Sequence, residues 1–209
     1  EFRRVLFRSS ASTPTLTGAT IGLLTQTTTF ALRVYDAGSA SCLDKWAGNA
    51  VVVTVRPQFT AGEISSGSET LCYGANAAEI LNVTDATGGD ENITYSWRAN
   101  GVAIANSNFA SFDPATALAT NTTYTRWAKD GTCNSFTQST GSWVVTVRPQ
   151  FTSGAINTTG ETICYGGTPS EIGSATAASG GDNSIIYSWR SSADGYTDAI
   201  DGATAATYT

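Results

Sequence analysis

The sequence predicts an all-β protein made of tandem β-sandwich domains, one complete and two partial. Three observations predict it. RPQFTAGEISSGSETLCYGANAAEI, from Arg56, returns as RPQFTSGAINTTGETICYGGTPSEI, from Arg148, and the pairs Cys72/Cys164, Tyr95/Tyr187 and Trp97/Trp189 are each 92 residues apart. That period exceeds the ~20–50 residues of a solenoid unit and suits a small domain with its own core. Short runs of β-branched and aromatic residues recur with turn signals roughly every 8–12 residues, the pattern of a sandwich. No stretch sustains a 3.6-residue apolar period with caps, so essentially no helix is expected.

The repeat divides the chain. Residues 10–56 read as the C-terminal part of one repeat, 57–148 as a complete repeat and 149–209 as the N-terminal part of a third. Residues 1–9, EFRRVLFRS, match a translated sequencing-adapter oligonucleotide and are set aside as an assembly artefact. The chain has no Met and stops inside a repeat, so an internal fragment of a longer protein is expected.

In the complete repeat, 58–64 and 69–73 read as short first strands broken by Ser-Gly, and 77–83 as the next. ATGGDEN (86–92) is a loop by composition. ITYSWRA (93–99) alternates and places Ile93, Tyr95 and Trp97 on one face, with Trp189 the matching core residue of the next copy. Asn100-Gly101 is the positive-φ pair of a two-residue hairpin, leading into 102–104. In the next copy Arg190 to Ile200 spans 10 residues where Arg98 to Ile104 spans 6, so that tip carries a four-residue insertion.

Residues 108–112 read as a further strand before Asp113-Pro114. TTYTRWAK (122–129) aligns with TTFALRVY (28–35), pairing Tyr124 with Phe30, Arg126 with Leu32 and Ala128 with Val34. Only that phase is largely apolar in both copies, so Tyr124 is assigned to the core. Arg126 is the exception and is expected to reach out at a domain end. SWVVTV (142–147) aligns with NAVVVTV (49–55) as the last strand.

Composition excludes several functions. The formal charge is −6 and the only lysines are Lys45 and Lys129, so nucleic acid and anionic membrane surfaces are not expected partners. No apolar run approaches the ~20 residues that cross a bilayer, so no membrane insertion is expected in this stretch. There is no His, which rules out Ser-His-Asp and Cys-His arrangements. Asp90, Glu91 and Asp113 lie in turn-like sequence rather than across a cleft. No catalytic residue, cofactor site or metal site is assigned.

Calcium is the nearest alternative, because Asp90-Glu91 and Asp182-Asn183 each follow Gly-Gly. One or two acids do not fill the 6–8 ligand positions calcium takes, and a solvated turn is the simpler reading. Trp127 falls on the outward phase of its strand and is a candidate exposed contact for a sugar or a partner. Its counterpart in the first copy is Arg33, so the feature does not repeat. The sequons NVT (82–84), NIT (92–94), NTT (121–123) and NTT (157–159) fit a glycosylation pattern that abundant Thr also produces by chance.

The cysteines are Cys42, Cys72, Cys133 and Cys164, none in a CxxC pair. Two pairings are compatible with the repeat: Cys72–Cys133 inside one domain, or Cys42–Cys72 with Cys133–Cys164 between neighbours. The first is preferred, because the last strand carries the chain nearly ~20 Å between Cys133 and Cys164, while a disulfide holds Cα atoms within about 7 Å. Such a bridge stabilises by roughly 3–4 kcal/mol and implies an oxidising, extracytoplasmic setting.

ETLCYGANAAEI, ATGGDENITYSWR, AIDGATAATYT, TTYTRWAKDGTC and VVTVRPQFTSG together resemble the immunoglobulin-like (PKD-like) tandem repeats of very large secreted proteins of Bacteroidetes. The resemblance covers all but residues 1–9. It implies an extracellular immunoglobulin-like array, often exported by the type IX system through a C-terminal sorting domain, that acts in adhesion or as a stalk. It carries over no family-wide catalytic or ligand residues. Trp97 and Trp189 stand where the immunoglobulin sandwich places its strand-C tryptophan. The expected function is a non-catalytic stalk, spacer or adhesin segment at the cell surface. Its expected partners are neighbouring repeats and a surface protein or glycan. The alternative is a carbohydrate-binding module of a secreted hydrolase, which requires a flat row of exposed aromatics. A filament subunit that exchanges strands between chains is a third reading.

Overall fold

The computed structural model describes residues 16–34, 45–114 and 116–208; residues 1–9 and Cys42 lie outside them. β1 (Thr28–Val34) and β2 (Lys45–Val53) pair as an antiparallel hairpin. Eight strands follow: β3 (Glu63–Ile64), β4 (Gly67–Leu71), β5 (Asn82–Thr84), β6 (Thr94–Ala99), β7 (Val102–Ala103), β8 (Thr122–Lys129), β9 (Thr137–Gln138) and β10 (Trp143–Val147). β11 (Ala155–Ile156) and β12 (Ser174–Thr176) complete the described strands. Among the described residues the protein is all-β apart from one helical turn at Gly18–Ile21 and a 3₁₀ turn at Ser192–Asp194.

Residues 59–147 build a sandwich. One sheet runs β4-β10-β8-β6-β7, with β9 also on β8. β4 joins β10 in parallel, from Gly67 opposite Trp143 to Leu71 opposite Val147. The facing layer is β3-β5, extended by bridges Thr60–Thr87 and Ile80–Phe112. β8 shows why this sequence makes a strand packed on one face: Thr122, Tyr124, Arg126 and Ala128 are buried, and the residues between them are partly exposed.

The core lies between the layers in two clusters. The larger holds Ile64, Ala77, Ile80, Trp97, Tyr124 and Val145, with Phe112 packed against it. Trp97 is fully buried, stacks on Phe112 at 5.3 Å and donates its indole N–H to the Phe109 carbonyl at 2.9 Å. The smaller cluster holds Ala61, Ala86 and Ala128, with Ile93 and Tyr95 partly buried against it. The Tyr95 hydroxyl accepts from the Ala86 N–H. The core assignment of Trp97 and Tyr124 therefore agrees with the packing, and Ile93 and Tyr95 border it.

Asn100 (φ 49°) and Gly101 (φ 83°) form the expected tight hairpin between β6 and β7. The expected strand at 108–112 is reduced to the bridge at Phe112. Side chains replace the ladder there: Ser107 Oγ accepts from the Trp97 N–H and Asn108 Oδ1 from the Tyr95 N–H. Ahead of its short pairing with β7, the outer edge of β6 is thus capped by side-chain oxygens. Residues 77–83 likewise give only the Ile80 bridge and the start of β5.

The expected Cys72–Cys133 bridge is absent; both are free, exposed thiols, as is Cys164. Topology explains it. Cys72 follows Leu71, which lies opposite Val147 at the end of the sandwich where β8 begins. Cys133 follows β8's far end at Lys129. Eight strand residues at ~3.3 Å each separate the two ends by about 25 Å, against the roughly 7 Å that a disulfide spans.

The 92-residue repeat extends to individual contacts. Glu63–Thr84 and Ile64–Asn82 in β3-β5 recur as Ala155–Thr176 and Ile156–Ser174 in β11-β12. The Trp97 carbonyl accepts from the Ile104 N–H at 2.8 Å, and the Trp189 carbonyl from the Ile200 N–H at 2.8 Å. Trp189 stacks on Tyr208 at 5.8 Å, as Trp97 does on Phe112, but it is only partly buried. The hairpin insertion folds into the 3₁₀ turn at Ser192–Asp194.

Replacing Trp97 by Ala removes the largest buried side chain together with its hydrogen bond. The expected cost is ~3–5 kcal/mol. It would be read as a lower urea midpoint of the sandwich's cooperative transition, and an unchanged midpoint would contradict the core assignment.

Candidate functional site

Arg126 does not reach out at a domain end; it is fully buried between the two core clusters. A buried guanidinium costs several kcal/mol in desolvation unless its donors are satisfied. Here they meet six neutral oxygens. Nε donates to Ser139 Oγ, Nη1 to Asn82 Oδ1 and the Ala110 carbonyl, and Nη2 to the carbonyls of Ala61, Glu63 and Thr84. The cation also sits 4.7 Å from the Tyr95 ring centroid. Burial pushes its pKa down, with Tyr95 and Asp85 opposing. Because its acceptors come from both layers, Arg126 ties them together.

The loops at one end of the sandwich converge on two carboxylates. Asp130 is buried; Oδ1 accepts from the N–H groups of Cys133 and Asn134, and Oδ2 from that of Asp90. Desolvation raises the Asp130 pKa, but the donors of Asn134 and Cys133 outweigh it and hold the carboxyl below its ordinary value. Asp90 accepts from the Asn92 and Gly131 N–H groups and from the Thr132 hydroxyl. Its Oδ2 lies 3.4 Å from Arg56 Nη1. Among the described residues, no group of three or more acidic or Cys side chains could hold a metal ion. Asp90 and Asp130 are both held by backbone N–H donors of the surrounding loops.

This junction recurs. Arg148 Nη1 lies 3.1 Å from Asp182 Oδ2. The Gly89 N–H donates to the Pro57 carbonyl at 2.9 Å, and the Gly181 N–H to the Pro149 carbonyl at 2.9 Å. Gly88 and Gly180 both have φ +85°, and a Cβ at either would fall 2.2 and 2.1 Å from the carbonyl oxygens of Gln58 and Gln150. Only Gly allows that approach and that conformation. The Ser184 N–H, then Arg148 against some desolvation, hold the Asp182 carboxyl below the ordinary range. Each Arg-Pro-Gln segment is therefore seated on the Gly-Gly-Asp loop that follows it in the chain. The sequence marked that loop as a turn; Arg56 and Arg148 as its partners were visible only in the shared 92-residue offset.

Trp127 is partly exposed, but its ring is already engaged. The Arg98 guanidinium carbon lies 4.0 Å from its centroid, and the indole N–H donates to Thr125 Oγ1. An open groove beside β3, β5 and β9 is lined by Thr60, Glu63, Asp85, Thr137, Gln138 and Thr140. It is polar, and its only aromatic is Phe59.

Two predictions follow from these groups. In the first hairpin the equivalents of Arg126 and Ser139 are Leu32 and Ala47. Arg126→Ala should therefore cost at least ~3 kcal/mol, because it strands buried acceptors. The double change Arg126→Leu with Ser139→Ala should recover part of that in urea titrations. Equal loss in both would show that the polar set is not what matters. Asp130 binds its proton less tightly folded than unfolded. Its stabilisation is present above the unfolded value of about 4 and is lost as pH falls through the lower folded value. The melting temperature should fall below about pH 4, and Asp130→Asn should lower it at neutral pH while flattening the acid limb. An acid limb as steep in the variant would assign the effect elsewhere. No protein-family model and no curated protein matches the chain.

Proposed function

We propose that this chain is a run of immunoglobulin-like sandwich repeats that serves as a stalk, spacer or adhesin segment of a secreted or surface-anchored bacterial protein. The observation that carries the reading is the repeated junction, in which Arg56–Asp90 and Arg148–Asp182 close on the same Gly-Gly loop geometry. Proline fixes φ just after each arginine, and the following loop captures the proline carbonyl. A seated linker transmits direction from one repeat to the next. Each ion pair is partly exposed and screened by solvent, so the glycine-dependent backbone contact does more to set the geometry.

The non-catalytic reading rests on a chain without His and on carboxylates tied to N–H donors. Partners on this reading are neighbouring repeats and a surface protein or glycan. The resemblance to Bacteroidetes repeat arrays supports the same assignment and an extracellular location. A carbohydrate-binding module is less favoured, because Arg98 already occupies a face of Trp127.

Small-angle scattering of the intact chain tests the proposal. A compact globule of this length has a radius of gyration of about 17 Å. A directed array should scatter with a clearly larger radius and a rod-like cross-section regime. A value near 17 Å would remove the stalk reading.

A further inference from the structure

We infer that the sandwich of residues 59–147 is built to bear tension along the chain, and that β4 and β10 form the clamp that bears it. The load path follows from the topology. The chain enters at Pro57, whose carbonyl accepts from the Gly89 N–H beside the Asp90 and Asp130 loops, at the end where β8 finishes. It leaves at Arg148, whose N–H donates to the Leu71 carbonyl at the opposite end, where β8 begins. Between those points the first and last strands lie side by side in parallel. Their pairing starts at Glu63 opposite Thr140 and runs from Gly67 opposite Trp143 to Leu71 opposite Val147. Tension at Pro57 therefore pulls β3 and β4 one way, and tension at Arg148 pulls β10 the other. The strands must slide along each other before they part.

Sliding loads the rungs together, because ladder bonds run across the strands and the force runs along them. Four of those bonds frame the clamp at 2.8–3.2 Å: Thr140 N–H to the Gly62 carbonyl, Ile64 N–H to the Thr140 carbonyl, Gly67 N–H to the Ser142 carbonyl and Arg148 N–H to the Leu71 carbonyl. Side chains tie the same two strands. Trp143 Nε1 donates to Glu69 Oε1 at 2.8 Å, and its ring covers Gly67 so closely that a Cβ there would meet it at 2.6 Å. Val145, in the middle of β10, is fully buried in the larger core cluster, so β10 cannot shift without dragging a core side chain. An antiparallel pairing of first and last strands would bring both chain ends to one end of the sandwich and let the strands peel apart rung by rung. The parallel pairing removes that route. That a load exists in use rests on the stalk reading; the clamp itself rests on the topology alone.

Single-molecule extension of the intact chain in two directions tests the inference. Pulled between its termini, the sandwich should yield in one cooperative step that releases roughly 300 Å of chain. A second pull runs between Cys72 and the C-terminus, with the other cysteines replaced by Ser. Cys72 is exposed and follows Leu71, opposite the end of β10, so this load opens β4 from β10 at one end. The rungs then break in turn, and the sandwich should yield at several-fold lower force. Equal forces in the two directions, or a terminal pull in which the sandwich yields gradually, overturn the inference. Extended scattering with equal forces would remove the clamp and keep the stalk; compact scattering with unequal forces would do the reverse.

Discussion

Arg126 sets the terms for the sandwich. The gap between its two core clusters is spanned by a guanidinium rather than by hydrocarbon, and the six oxygens around it come from Ala61, β3, β5, β9's flank and the 110 region. A hydrocarbon core tolerates small slips of register; a set of directional bonds with one charged donor does not. The layers are therefore fixed by geometry as well as by area. The weak ladder of the facing layer, with two short strands and isolated bridges, is consistent with that division of labour. Backbone oxygens such as those of Ala61 and Ala110 are satisfied by a side chain reaching across the core.

The same economy of regular pairing recurs at the edges. Ser107 and Asn108 supply oxygens to β6 where a strand was expected, and Asp130 gathers the N–H groups of its own loop. These side-chain devices finish the sandwich without a long ladder or a covalent clamp. Cys72 and Cys133 stand at opposite ends of β8, so the covalent clamp expected between them has no path.

The sequence made some levels legible and hid others. The alternation in 122–129 and the Asn100-Gly101 turn are local signals, and the structure follows both. Comparing copies identified the inward phase of β8, but it misplaced Arg126. A charged residue on an apolar face is assigned outward by default, and its neutral acceptors are spread over residues 61 to 139. No window of sequence contains them together. The strand at 108–112 failed for a similar reason: its pattern fits a strand, yet side-chain capping outcompetes pairing there. The cysteine pairing failed because direction along the sandwich depends on the parallel β4-β10 contact, which periodicity does not encode. The junction was half legible: Gly-Gly-Asp stood out as a loop, while its arginine partner lay over 30 residues earlier.

The insertion at the 190–200 hairpin has a wider consequence. Arg190 and the 3₁₀ turn reorganise the tip, yet the bond from the Ile200 N–H to the Trp189 carbonyl matches its counterpart in the preceding repeat. The insertion is therefore absorbed beyond that bond, inside the loop it closes. In the two copies the hairpin tip differs in length and sequence while the backbone bond at its base is kept.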